Sequence, residues 1–516
     1  MKKNHFIARK GLFSLALAAV GAMFLGSCAV DGFDDKEKFD DGVSGVKLES
    51  PELSTKTVAA SDGSDKLQVS WKVVYGAGGY ECKAYNVDDP DNPEEVASDT
   101  IDGTSFQFKI AEDTNYKIAV RTLGNKAKNN TEADKATELE YSTLVPAKTI
   151  PNNSDISEFI AANLQESDKE QAFELEAGGT YTCNNSIDFK GNKMTLRGNK
   201  LSHALVTMGE GAAIYTSAQL KVKFINFDCS ATTHKGGIIE MSPEPPASCS
   251  AESQGVGAGK NGGKPADVYI LQDPIIIQDC AFKNVIDGLF SVGQCSWGIA
   301  DVRVMNSVVQ MRNDGKKNSN GAIICGFSNG FKAPSGGQFW YGGIKSITIK
   351  NSTIYNIESN SKNRMFRFNN KDLDHAFPTA GGSCTMMDNT FIRVYDKKEF
   401  GNNTPNNNKY VITYDNNIFY DCFRLQKFIQ GNCKLEYHQN LNTVWGVGSS
   451  VDGPIRVSWL LKRMLDLLRQ RPRRNSTSPS LTSGLISRLP VRFQVQSVIH
   501  VGENNLNYLI SKQDET

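Results

Sequence analysis

Residues Ile344–Ile357 read IKSITIKNSTIYNI. Ile347 and Ile349 alternate with Ser346, Thr348 and Lys350, which is the period of a strand with one apolar face. Asn351 then interrupts, and Ile354 starts the next apolar phase. The same signature, Asn or Asp followed three residues later by an apolar side chain, recurs along the chain. It stands at Asp279-Cys280-Ala281-Phe282, Asn306-Ser307-Val308-Val309, Asp388-Asn389-Thr390-Phe391 and Asp415-Asn416-Asn417-Ile418. The five starts are 27, 45, 37 and 27 residues apart. A basic period in the twenties, with inserted loops in the longer gaps, implies a solenoid, and its strand content makes it a parallel β-helix. Asn and Asp at each corner tolerate the left-handed backbone of a sharp bend. Stacked rungs would bring these corner side chains into a hydrogen-bonded ladder. An ordinary β-sandwich is the competing reading, but the Asn-Gly and Asp-Gly pairs of tight hairpins fall mostly inside the inserts.

The chain has 516 residues, room for two or three domains. Lys+Arg and Asp+Glu are both 57, so net charge points to no partner class. Its first segment reads as an export signal: Lys2, Lys3, Arg9 and Lys10, then the apolar Gly11–Phe24, then Leu25-Gly26-Ser27-Cys28. These last four residues resemble a bacterial lipobox, which implies cleavage before Cys28 and lipidation of that residue. The alternative is an ordinary cleaved signal with an incidental cysteine. Asp31–Asp41 (DGFDDKEKFDD) is acidic and reads as a solvated tether. It resembles the segment that follows the cysteine in Bacteroidetes surface lipoproteins, which implies an outer-membrane protein on the cell surface. A periplasm-facing protein is the other option. Beyond Cys28 no apolar run is long enough to span a bilayer.

Val46–Val145 reads as a small sandwich of short alternating strands. The strands expected are Leu67–Trp71, Gly79–Tyr85, Thr104–Ile110, Thr114–Val120 and Tyr141–Thr143. The segment resembles fibronectin type III, with Trp71 where that family has its core tryptophan and Tyr116 where it has its corner tyrosine. The resemblance implies a spacer. After it, Ser154 can cap a short helix through Leu164, with Phe159, Ile160 and Leu164 on one face, to cover the first rung of the coil. Gly179-Thr180-Tyr181 and Met194-Thr195-Leu196-Arg197-Gly198 follow. This opening resembles the start of pectate-lyase-like β-helices. The expected organisation is therefore all-β: signal 1–28, tether 29–43, a fibronectin type III-like sandwich 44–150, then a right-handed parallel β-helix 151–450.

Ten cysteines besides Cys28 form no C-x-x-C pair, and no histidine stands at zinc-finger spacing, which argues against structural zinc. Several sit in rung strands, where a buried thiol behaves as a small apolar side chain. A disulfide framework is the alternative that export would permit.

Residues 451–516 break the pattern. Residues 456–516 hold eight Arg, against nine in 1–455. A nucleic-acid-binding tail suits an exported lipoprotein poorly, so no nucleic-acid partner is expected. The codons of Val498-Ile499-His500-Val501-Gly502, regrouped by one base, can encode Gly-Asp-Pro-Arg-Trp followed shortly by a stop. That ending resembles the C-terminus of β-helix lipoproteins from Bacteroidetes glycan-utilisation loci. It implies a frameshift that replaced the last rungs.

Polygalacturonase-type hydrolysis needs paired carboxylates, yet the only Asp-Asp pairs (Asp34-Asp35, Asp40-Asp41, Asp88-Asp89) lie outside the coil. Pectate-lyase-like chemistry needs calcium on clustered carboxylates and an Arg or Lys base. Asp388 and Asp415, read as equivalent corners, are the only metal candidates, with Arg364, Arg367 and Arg393 near in sequence; corner geometry explains both Asp equally well. No catalytic residue is assigned, and no cofactor is expected unless calcium binds there. The glycan-binding candidates are Phe331, Phe339, Trp340 and Tyr341 in a Gly-rich insert, whose rings could stack on sugars or fold back as a satellite core. Arg364 or Arg367 could pair with a carboxylate sugar. The function expected is capture of polysaccharide, pectin-like or otherwise acidic, at the cell surface. The partners are the outer-membrane lipid anchor and an outer-membrane glycan transporter. A polysaccharide lyase or hydrolase, and an adhesive or structural surface protein, are the alternatives.

Overall fold

The computed structural model describes residues 43–61, 64–256, 268–312, 322–326, 343–356, 364–367, 377, 381–394, 401–402, 410–420, 422, 434–436 and 443–445. The signal segment with Cys28, the loop aromatics Phe331, Phe339, Trp340 and Tyr341, and the tail 451–516 lie outside them.

Two antiparallel sheets come first. Strands β1 (Leu53–Ala59), β2 (Asp65–Trp71) and β5 (Ser105–Lys109) form one, in the order β1-β2-β5. Strands β3 (Tyr80–Asn86), β4 (Glu94–Ile101), β6 (Asn115–Thr122) and β7 (Thr137–Ser142) form the other, in the order β4-β3-β6-β7. Alternation along β2, β3, β5 and β6 turns Leu67, Val69, Trp71, Cys82, Phe106, Phe108, Ile118 and Val120 into one shared core. Tyr116 is buried in it, and its hydroxyl accepts a 2.7 Å hydrogen bond from the Ala111 N–H, which ties the turn before β6 to the core.

From Ala147 onward the chain coils. Three stacks of parallel strands hold ten, nine and seven strands among the described residues. The long sheet runs from Ala147–Ile150 to Lys434–Glu436, the second from Thr180–Cys183 to Thr443–Trp445, and the third from Ile187–Asp188 to Gly401–Asn402. One rung illustrates the path: Ser296–Met305 in the long sheet, Val308–Met311 in the second, Ala322–Cys325 in the third. The coil is a parallel β-helix, and its first strand already begins at Ala147. Helix α1 (Ile156–Asn163) packs Ile156 and Ile160 onto the core at the opening rung. Its cap is Asp155 rather than Ser154, with the carboxylate accepting from the N–H groups of Ser157 and Glu158. A carboxylate can take both orphan donors of the first turn at once.

The corner between the long and second sheets repeats without insertion. Phe224, Asp279, Asn306, Asn351, Asp388 and Asn416 hold it, with φ of 59°, 51°, 50°, 49°, 59° and 55°. Inward side chains stack rung on rung, as in the Phe227–Phe282 and Phe391–Phe419 ring pairs with centroids 4.7 and 5.1 Å apart. Ile347 and Ile349 are fully buried, as their alternation predicts. In the first rungs Gly198 occupies the corner, where a Cβ would stand 2.2 Å from the Phe224 carbonyl oxygen. No other residue fits that approach.

All nine cysteines of the described residues are free thiols, and most are buried. Burial pushes Cys82, Cys183, Cys229 and Cys280 up to about 12, which leaves them protonated and unreactive.

Candidate functional site

The corner was the sequence's candidate for carboxylate chemistry. Its exposed residues do form the ladder: Asn351 Nδ2 donates to Asn306 Oδ1 at 3.0 Å, and Asn416 Nδ2 to Asp388 Oδ1 at 2.6 Å. A second, buried ladder runs one residue further on. The Ser307 N–H donates to Ser352 Oγ, the Ser352 N–H to Asn389 Oδ1, and the Asn389 N–H to Asn417 Oδ1, at 3.2, 2.9 and 3.1 Å. These groups serve architecture, since each satisfies a backbone donor that the bend takes out of the sheet. Asp415 is not the equivalent of Asp388. It pairs in register with Met387, one residue before the corner, and is fully buried. The corner residue there is Asn416. No group of three or more His, Cys, Asp or Glu able to hold a metal ion occurs among the described residues.

The third sheet offers a different surface. Its strands stack in register, so that Ile187, Ile214, Ile239, Phe290, Ile324 and Phe366 form one buried inward row. The neighbouring row must face outward, because alternate side chains on a strand point oppositely. It reads Asp188, Tyr215, Glu240, Ser291, Cys325, Arg367 on successive rungs about 4.8 Å apart. Asp188, Tyr215, Cys325 and Arg367 are half-buried, while Glu240 and Ser291 are buried. Burial lowers the Arg367 guanidinium, and the charge of Arg364, a buried residue on the same strand, adds to this in a lesser way. The remaining arginine near in sequence, Arg393, follows the second-sheet strand Thr390–Ile392 instead.

At Glu240 the row meets a histidine. His234 stands in the loop Cys229–Gly236, which joins the second-sheet strand Ile225–Asp228 to the third-sheet strand Gly237–Met241. Its Nε2 lies 3.3 Å from Glu240 Oε2, and the Gly237 N–H donates to Glu240 Oε1 at 2.8 Å. The carboxylate beside it raises the imidazole above its ordinary value, against the opposing effect of burial. A Cβ at Gly236 would lie 1.9 Å from Glu240 Oε1 and 2.9 Å from His234 Nε2, so the Gly-Gly pair makes the room for this contact. Arg312 positions the loop, donating from Nη1 to the Ser230 carbonyl at 2.9 Å and from Nη2 to the Thr232 carbonyl at 3.1 Å. Tyr215 meets His234 edge-on, with ring centroids 6.4 Å apart, and its phenol is raised by burial and then by Glu240. Asp188 Oδ2 accepts from Ser242 Oγ at 3.2 Å.

Of the two arginines the sequence offered, of which only one could face a ligand, Arg367 lies in the outer row, while Arg364, two residues before the inward Phe366, is buried on the other face. The sequence missed Asp188, Tyr215, His234 and Glu240, and the one local signal was Gly236-Gly237. The arrangement presents hydrogen-bond donors and acceptors, an aromatic ring and a proton-exchanging pair on a rigid sheet, with carboxylates toward one end and the Arg367 guanidinium toward the other.

Two family models match. Residues 1–181 match DUF4992, a domain of unknown function, and residues 179–357 match a further domain of unknown function, DUF4957. No curated protein matches the chain. Among solved structures, a PL6-family alginate lyase is similar over 66% of this chain and 45% of its own, with 12% identity and a TM-score of 0.36. The chain thus spans less than half the length of that protein. A pectate lyase from Pectobacterium carotovorum is similar over 78% of this chain and 88% of its own, with 11% identity and a TM-score of 0.14.

Proposed function

We propose that this chain captures polysaccharide along the outer row of the third sheet and does not cleave it. The observation that carries the reading is the row itself: Asp188, Tyr215, Glu240, Ser291, Cys325 and Arg367 in register on consecutive rungs. The row sets different side chains at even spacing along a line that an extended polymer can follow, and a rigid sheet loses little freedom on binding. In this reading Cys28 carries the lipid that holds the protein on the outer surface of the outer membrane, beside a glycan transporter. The sandwich is a fibronectin type III-like spacer, which its strand orders and the Tyr116 hydrogen bond support. The coil is right-handed, as parallel crossovers almost always are. The basic tail 451–516 is the product of a frameshift.

The test is electrophoresis of the full mature chain through gels cast with acidic and neutral polysaccharides. Retardation in one glycan that Tyr215→Ala abolishes, with the matrix intact, supports capture at the row. Retardation unchanged in Tyr215→Ala would move the site elsewhere. A second reading, a lyase or hydrolase, is favoured by one observation, the His234–Glu240 pair beside Tyr215, and a cleared track in the gel would establish it.

A further inference from the structure

The sandwich and the coil are joined by Thr143–Pro146, which runs between the end of β7 at Ser142 and the first coil strand at Ala147. Two domains on a short link move against each other unless their interface holds them. Here both ends of the link are held. Thr143 Oγ1 accepts from the Thr114 N–H and donates to the Ala111 carbonyl, each at 2.8 Å. Toward the coil, the Val145 carbonyl accepts from Arg197 Nη1 at 2.8 Å, and the ring of Pro146 fixes its own φ.

Arg197 belongs to an outward row of the long sheet, with Glu174 and Lys223 in register on the rungs to either side. Outward side chains of a coil normally reach water, yet the Arg197 side chain is 5% exposed and that of Lys223 is 1% exposed. Lys223 Nζ pairs with Asp113 and lies 3.6 Å from Glu112. Both carboxylates stand in the turn before β6, which the Tyr116 hydroxyl ties to the sandwich core. Lys200 Nζ lies 2.6 Å from Asp88 Oδ2, while Asp88 Oδ1 accepts from the Asn115 N–H at the start of β6 at 2.9 Å. Arg197, Lys200 and Lys223 thus meet the sandwich at separate points. The entry to the sandwich is fixed as well. Buried Asn130 accepts from the Val46 N–H at 3.1 Å and donates to the Val43 and Gly76 carbonyls at 2.9 Å each.

We propose that these contacts form a latch that fixes the sandwich on the coil at one angle, so that the chain is a single rigid arm from Val43 into the coil. A buried ion pair gains little over an apolar pair of the same size, but a buried charge without its partner is strongly unfavourable. Lys223 therefore stays buried only while Asp113 stands over it, and a sandwich docked at any other angle would strand the ammonium. The pair specifies the geometry more than it strengthens it. The sandwich is then an orienting arm, which sets the angle at which the coil and its surfaces stand from the N-terminal attachment. The inference does not rest on polymer capture by the third-sheet row, and its test contains no glycan.

The test is the distance between two spin labels in the full mature chain, read by double electron–electron resonance. The labels sit at Ser98→Cys, on the exposed strand β4, and at Lys350→Cys, at the exposed end of a long-sheet strand, with the half-buried Cys249 and Cys325 changed to Ser. The labelled parent gives one narrow distance peak. Glu112→Gln with Asp113→Asn removes both partners of Lys223, and Asn accepts the φ of 51° held by Asp113. This variant loses the narrow peak while its circular dichroism is unchanged. Adding Lys223→Met removes the stranded charge and brings the narrow peak back. If the doubly neutral variant does not fold, Lys200→Glu takes its place, setting like charge against Asp88 at a part-exposed site, and it broadens the distribution. A broad distribution in the parent, a narrow peak that survives the charge-removing or charge-reversing substitutions, or no recovery with Lys223→Met overturns the proposal.

Discussion

The corner between the long and second sheets and the outer row of the third sheet are both built by stacking one residue per rung. At the corner the stacked residues are nearly the same type: Asp279, Asn306, Asn351, Asp388 and Asn416 outside, and Ser307, Ser352, Asn389 and Asn417 beneath. In the row every rung differs: Asp188, Tyr215, Glu240, Ser291, Cys325 and Arg367. A position that must solve the same backbone problem on each turn has few residues to choose from. A position that faces outward from a sheet already paired on both sides has no such problem to solve, so its identity is free to follow a ligand. Uniform stacks mark structure in this molecule, and varied stacks mark the surface where function is expected.

The strongest way to break that comparison is at Asn389. Its Oδ1 accepts from the Ser352 N–H at 2.9 Å, and its Nδ2 donates to the Ile349 carbonyl at 2.8 Å and to Asn417 Oδ1 at 2.9 Å. The residue is 2% exposed, so water cannot replace these partners. Asn389→Ala should cost about 3 kcal/mol in denaturant unfolding, the cost of stranding a buried donor and a buried acceptor. Asn389→Ser, which restores the residue of the two preceding rungs, should lose clearly less. Equal losses would mean that the ladder contributes packing and not hydrogen bonds.

Next in size is the corner itself. Asn351→Ala keeps the bend but places a Cβ residue without a local polar partner at φ 49°, for about 1 kcal/mol of stability. Asn351→Gly should stay within a few tenths of wild type. A glycine variant as unstable as the alanine one would shift the explanation from backbone conformation to the 3.0 Å bond to Asn306.

The uniform stack was legible because its cause is local. Strand alternation and a left-handed residue leave their marks within four positions, and those marks repeat. The register was misread only where two candidates stand side by side, at Asp415-Asn416. The buried ladder sat in the quoted signatures, one residue after the corner, but Cys280, Ser307, Ser352, Asn389 and Asn417 share no obvious class until burial unites them. Strands β1 and β4 left no trace, since their side chains are almost all exposed or half-exposed and no apolar period exists to read. The row on the third sheet was illegible for a deeper reason. Its members are brought together by stacking across loops of unequal length, and His234 reaches Glu240 from a loop.

The smallest effect expected belongs to that pair, and it sharpens the comparison through pH. The Glu240 carboxylate beside it raises the His234 imidazole in the folded chain. A histidine whose folded value is raised stabilises the fold fully below its unfolded value, about 6.5, and loses that contribution as pH rises through the folded value. Wild type should therefore lose stability between acidic and mildly alkaline buffer by a modest amount that Glu240→Gln removes. The Gln amide still accepts from the Gly237 N–H at its carbonyl oxygen, so the backbone contact made by Glu240 Oε1 survives. In the variant the His234 ring protons should titrate lower than in wild type. If their titration does not move, the carboxylate is not what holds the proton. The pair would then be an accident of packing, and the row would lose its one proton-exchanging member, whereas a downward move would mark the varied stack as chemically tuned in a way the uniform corner is not.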